Sequence, residues 1–193
     1  MCAGNGGKAL ALASEAIAEG SGATVWCHDV DEYRLRALAA RFRKAGMSKA
    51  ARTTGGDLAA LPAGRSFDVV LVDAPCSGTG VIRRGRVMDC YRAGSEAEVE
   101  EAVAALVGLQ GELLREGAGR AKDRLVYATC STLFEENGAV AAAFESSAEG
   151  AGWIPWPFDG EKLEGCEGNR RTLLPSRFHD GFFIARWRRR GEA

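Results

Sequence analysis

The chain has 193 residues, 46% of them hydrophobic, and a formal net charge of −1, so it can bury one sizeable core and carries no global basic field. RFRK (41–44), IRRGR (82–86) and RWRRR (186–190) are local basic clusters, and no run of about 18 apolar residues offers a membrane span. The six cysteines (2, 27, 76, 90, 130, 166) form no CxxC pair and neither His28 nor His179 completes a ligand spacing. This argues against a metal site and for free thiols in a reducing, cytoplasmic compartment, with a nuclear or organellar one left open.

In chain order the first feature is a glycine loop, CAGNGGK (2–8), opening a helix over 7–18. ATVWCH (23–28) reads as a short buried strand. DEYRLRALAARFRKAG (31–46) follows as a helix, with Leu35, Leu38, Ala39 and Phe42 on one stripe and Gly46 as its stop. A weak strand is expected near AARTT (50–54) and a strong one at FDVVLVD (67–73). Ser95 and Glu98 form a capping-box pattern ahead of a helix over 95–117. DRLVYAT (123–129) is the fourth strand, and FEENGAVAAAFESSA (134–148) the next helix, with two acids in its first turn. Residues 155–176 read as loop. FHDGFFIARWRR (178–189) reads as a last strand, with Phe182, Ile184 and Arg186 on one face and Phe183, Ala185 and Trp187 on the other.

Strands alternating with helices predict one α/β domain over 1–193, its sheet mostly parallel with helices on both faces. Such a domain ordinarily begins with a strand leading into the glycine loop. This chain starts at the loop, so that first strand is expected to be absent.

AGNGGK is neither a P-loop, which needs Gly at position 2 and Ser or Thr at 9, nor GxGxxG, because Lys8 follows Gly7. A plain turn and a cofactor cradle at a helix N-terminus both remain open. Asp29, Asp57 and Asp73 each stand at or just after a strand, where a crevice at the carboxyl ends of the strands would bind ligand. An NAD-type oxidoreductase would account for the loop and Asp29.

It would not account for Cys76 in VDAPCSGTG (72–80) and Cys130 in LVYATCS (125–131), thiols at two matched strand ends. A buried, inert role is usual for free cysteine and suits Cys27 and Cys90. Two thiols beside an acid fit methylation at carbon 5 of a pyrimidine. A thiolate added to C6 turns C5 into a nucleophile, and a second group then assists proton removal and release.

DAPCSGTG (73–80) with IRR (82–84), YATCSTLFEEN (127–137), CAGNGGK (2–8), LQGELL (109–114) and LLPSRFHDGFF (173–183) together resemble the Sun-type RNA cytosine-C5 methyltransferases. The resemblance covers nearly the whole chain and implies a Rossmann-like class I methyltransferase fold, an RNA substrate (rRNA or tRNA) and S-adenosyl-L-methionine as methyl donor. It implies that Cys2, Ala3, Gly4, Asn5, Gly6, Gly7 and Lys8 cradle the methionine moiety, that Asp29 holds the ribose and that Asp57 lies by the adenine. Asp73 would lie between cofactor and base. Cys130 would be the nucleophile and Cys76 would assist product release. Nothing calls for a metal, a membrane or a partner subunit, and a monomer is expected. The chain departs from the family at Asn5, where a proline is commoner, in RRGRVMDCYR (83–92), which lacks a usual proline, and at AKDR (121–124), where Pro-Gly-Gly is usual. The RNA-binding region that usually precedes this domain in the family is expected to be absent. A non-catalytic, decayed fragment is the alternative reading.

Overall fold

A computed structural model of the protein describes residues 1–56, 64–85, 91, 94–158 and 164–191. Asp57 and Cys90, both assigned roles from sequence, lie outside the described residues. The chain forms two compact units, Met1–Arg65 and Ser66–Ala193.

In the first unit, α1 (Gly7–Ala18) leads to β1 (Val25–Asp29), α2 (Glu32–Lys44) and β2 (Ala51–Gly55). The strands pair in parallel, Val25 opposite Ala51 and His28 opposite Thr54. Asp31 caps α2 by accepting from the Tyr33 and Arg34 N–H groups, and Arg41, Arg43 and Lys44 occupy its last turn, where the helix dipole favours cations. Gly46 follows at φ 72°, the left-handed stop expected from sequence. Ala9, Ala13, Cys27, Leu35, Leu38 and Phe42 form the core between these elements.

The second unit holds β3 (Phe67–Asp73), α3 (Glu96–Arg120), β4 (Ala121–Thr129), α4 (Val140–Glu145), β5 (Trp153–Pro155), β6 (Cys166–Glu167), β7 (Arg170–Leu173) and β8 (Phe182–Arg189). β3 and β4 are parallel, with Val70 opposite Leu125 and Asp73 opposite Ala128. α3 is their crossover. Its capping box is formed as predicted, the Ser95 side chain accepting from the Glu98 N–H and the Glu98 carboxylate accepting from the Ser95 N–H. Gly117 lets it lie close on the sheet, since a Cβ there would stand 2.7 Å from Val72 Cγ2. From β8 onward pairing is antiparallel: β8 lies against β4, and β7 and β5 lie against β8. Parallel pairing holds where α3 crosses between β3 and β4, while the β6–β7 turn is short enough for a hairpin.

The two faces of β8 divide as expected, Phe183, Ala185 and Trp187 being buried and Phe182, Ile184 and Arg186 half-buried. Tyr127 packs edge-on against Phe183, and Phe144 against Trp187 at 5.1 Å between ring centres. Two expectations need correction. The stretch 155–176 is not all loop, because the β6–β7 hairpin lies within it; Gly168 at φ 58° makes the turn. The helix expected over 134–148 begins as a π-turn over Glu135–Ala139 before α4. No helix among the described residues is long and apolar enough to cross a membrane.

Candidate functional site

The glycine loop in the first unit is a fastened structure. Gly6 sits at φ 80° as the N-cap of α1, and a Cβ there would fall 1.9 Å from Leu38 Cδ1, so both conformation and packing require glycine. The Gly4 N–H donates to Asp29 Oδ2 at 2.7 Å, and the Ala3 N–H donates to the His28 carbonyl at 2.8 Å. The Arg41 guanidinium donates to the Asn5 carbonyl. Cys2 takes a left-handed φ of 55°, uncommon for a residue with a side chain.

Asp29 is 5% exposed, and its second oxygen accepts from the Asp31 N–H. Its carboxylate therefore ties the loop to the end of β1, a job that sequence alone did not assign to it. A Cβ on Gly4 or Gly7 would meet nothing within 4 Å, so the loop has open space beside it, and no side chain caps the first turn of α1. Open space beside Gly4 and Gly7, a buried carboxylate and a helix N-terminus with no side-chain cap fit a cofactor with a charged amino-acid moiety and ribose hydroxyls.

In the second unit the ends of β3 and β4 bring the two predicted thiols together. Asp73 closes β3, half-buried, and the Ala74 N–H donates to the Ala128 carbonyl at 2.9 Å. Cys76 Sγ and Cys130 Sγ are then 3.3 Å apart, both half-buried. The hydrogen bond to Cys130, then burial, then the charge on Cys130 push the Cys76 thiol far above its ordinary range. With Cys76 held in its protonated form, its S–H is placed to donate to Cys130 Sγ.

Around the thiols runs a buried polar frame that sequence reasoning did not assign. Both oxygens of Glu136, a fully buried residue, accept from the other loop: Oε1 from the Ser77 N–H at 2.9 Å, Oε2 from the Ser77 hydroxyl at 2.5 Å. Gln110, on α3, donates to Glu136 Oε1 and to the Pro75 carbonyl, each at 2.9 Å. The Thr129 hydroxyl donates to Asn137 Oδ1 at 2.6 Å, and Asn137 Nδ2 donates to the Ser131 carbonyl at 2.9 Å. Thr79 Oγ1 accepts the Thr132 N–H at 2.9 Å. The signal for these residues was in the quoted EEN and LQGELL stretches, but their partners lie far off in sequence.

A third loop closes the frame. The Gly80 N–H donates to the Cys130 carbonyl at 2.9 Å, and the Gly181 N–H donates to the Gly80 carbonyl at 2.8 Å. Asp180, nearly buried, receives Arg83 at 3.1 Å and Arg84 at 2.6 Å. The basic cluster IRRGR therefore spends two of its arginines on internal ion pairs. Arg186 likewise stacks 4.0 Å from the centres of both the Trp156 and Phe158 rings.

A model of the 16S rRNA methyltransferase RsmB/F family matches residues 1–188. The ribosomal RNA small subunit methyltransferase B of Salmonella arizonae is 39% identical over 75% of this chain and 32% of its own length. The protein of the same name from Citrobacter koseri is 34% identical over 96% of this chain and 40% of its own. The chain thus spans well under half the length of these curated relatives. Among solved structures, NSun6 from Pyrococcus horikoshii with SFG superposes with a TM-score of 0.74 at 24% identity, covering 100% of this chain and 47% of that one. A methyltransferase homolog protein from the same organism gives 0.62 at 28%, covering 86% and 53%.

Proposed function

The chain belongs to the 16S rRNA methyltransferase RsmB/F family, and we propose that it transfers a methyl group to C5 of a cytosine in RNA through a covalent cysteine adduct. The observation that carries this reading is the 3.3 Å approach of Cys76 and Cys130 at the ends of two adjacent parallel strands. A lone structural thiol needs no such partner. Covalent catalysis on a pyrimidine needs one sulfur to attack and a second group to manage the departure. The RNA is taken to be small-subunit ribosomal RNA, after the names of the relatives.

S-adenosyl-L-methionine, when bound, supplies an electrophilic methyl group. Cys2, Ala3, Gly4, Asn5, Gly6, Gly7, Lys8 and Asp29 would hold it; Asp57 belongs to the same assignment, and Asp73 would lie between it and the base. The Cys130 thiolate adds to C6 of the cytosine, forming the S–C6 bond and shifting the C5–C6 pair so that C5 becomes nucleophilic. C5 takes the methyl group. A water molecule then takes the C5 proton, the C–H pair re-forms the C5–C6 double bond, and the S–C6 pair returns to the Cys130 sulfur. The Cys76 S–H, held against the departing sulfur, stabilises it as it leaves.

Replacing Cys76 with Ala removes that help, so the variant should accumulate a covalent protein–RNA adduct, seen as a denaturation-resistant band of raised mass. Cys130→Ala should form none. A Cys76→Ala variant that yields no adduct with RNA methylated by the intact protein would overturn the assigned roles.

A further inference from the structure

Glu136 is fully buried, and its carboxylate accepts from neutral donors, the Ser77 backbone N–H, the Ser77 hydroxyl and the Gln110 side-chain amide. A carboxylate so placed is expensive to keep out of water unless its hydrogen bonds are well made. If it served only to fill the core, a neutral isostere would serve as well or better. What it grips is specific. Ser77 follows Cys76 directly, and Gln110 reaches past Glu136 to the carbonyl of Pro75, the residue before Cys76. The backbone on both sides of one thiol is therefore fixed by this carboxylate and the amide bound to it.

The other thiol is tied to the same unit. The Ser77 hydroxyl lies 3.3 Å from the Ser131 hydroxyl, adjacent to Cys130, and Glu136 itself sits six residues beyond Cys130 on the π-turn. The Tyr127 hydroxyl donates to the Glu136 carbonyl at 2.6 Å, anchoring that turn to β4. We propose that Glu136 is a positioning residue for methyl transfer: through Ser77 and Gln110 it holds Cys76 against Cys130, so that one sulfur shares its proton with the other. The inference rests on the roles proposed above for the two thiols.

Among the described residues, Tyr127 on β4 and Glu136 are titratable groups close to the pair. Tyr127 is near enough for the charges of Cys76 and Glu136 to add to the effect of its burial, which pushes the phenol up. A slack clamp parts the two sulfurs and takes the Cys76 S–H away from Cys130, removing a donor that a Cys130 thiolate would accept from.

The test is iodoacetamide alkylation of Cys130 in the intact chain as a function of pH, followed by peptide mass spectrometry, together with steady-state methylation. Glu136→Gln should raise the midpoint of the Cys130 profile and slow its alkylation at pH 7 about tenfold. It should also lower kcat by roughly 10- to 100-fold with little change in KM for RNA. Ser77→Ala, which removes only the hydroxyl donor, should give a smaller shift in the same direction and serves if Glu136→Gln does not fold. Phe144→Leu, in the core of the same unit, should lower the melting temperature and leave the profile in place. Coincident profiles for wild type, Glu136→Gln and Ser77→Ala, or an equal shift in Phe144→Leu, would sink the proposal. A shifted profile with no RNA adduct in Cys76→Ala would keep the clamp and reject the reaction instead.

Discussion

Three of the chain's thiols show how environment decides what a cysteine does. Cys76 and Cys130 hold their sulfurs 3.3 Å apart, half-buried, just beyond the ends of two strands. Cys27 lies 3% exposed in β1 among Leu35, Leu38 and Phe42, and burial pushes its thiol from 9.0 up to about 11, slightly opposed by the N-terminal charge. The sign of the consequence follows from proton counts. Between pH 9 and 11 the folded state keeps the Cys27 proton while the unfolded chain releases it, so stability falls across that window and is fully present below it. Cys27→Ala lacks this dependence. At pH 8 the variant should be less stable by about 1 kcal/mol, for the lost sulfur packing. The deficit should shrink as pH rises toward 11, which urea midpoints measured at both ends will show. A constant deficit would mean that Cys27 ionises as freely in the fold as in the unfolded chain.

At the level of elements, the thiol-bearing end of the second unit depends on Gly80. A Cβ there would come within 2.6 Å of the Gly181 carbonyl and 2.7 Å of the Cys130 carbonyl, both backbone atoms that no rotamer change can move. Gly80→Ala should therefore cost about 1–3 kcal/mol, lowering the melting point by several degrees, and should slow methyl transfer by prising the Cys130 loop away. Unchanged melting with unchanged activity would show that the three loops can part without consequence. The sequence already displayed this region's thiols, its Asp73 and its glycines, because their spacing after apolar runs is a local pattern. It displayed α1, β3 and the capping box of α3 for the same reason. The clamp was illegible: Glu136 and Ser77 are 59 residues apart, and nothing in either neighbourhood announces the other. β5, β6 and β7 were illegible for a different cause. They are two to four residues long, and β7 reads RRTL, with no alternation of apolar side chains; pairing to β8 rather than propensity makes β5 and β7 strands. Asp29 was legible as a strand-end acid, whereas its bond to the Gly4 N–H needed coordinates.

Across the whole molecule, charge and packing are spent unevenly. Several arginines of the basic clusters that stood out in the sequence are tied to the chain itself while staying at the surface: Arg41 to the Asn5 carbonyl, Arg83 and Arg84 to Asp180; half-buried Arg186 meets two aromatic rings and the Trp156 carbonyl. Packing is concentrated as well. β4 has a partner along both edges, β3 on one and β8 on the other, and Leu125, Tyr127 and Trp187 on these strands are fully buried. Among the described residues β1 pairs along its length with β2, over a core whose large members are Leu35, Leu38 and Phe42. Local opening costs least where few apolar contacts and few ladder bonds must be broken. Amide hydrogen exchange should accordingly be slowest in peptides covering 124–128 and 183–187, approaching the global unfolding limit, and faster in those covering 26–28 and 51–54. Cofactor added at saturating concentration should slow the second group more than the first if the glycine loop and Asp29 hold it, since binding stabilises the folded form it requires. Equal protection in both groups before addition would contradict the packing argument, and no change in the β1 peptides afterwards would remove Asp29 and the loop from the binding site.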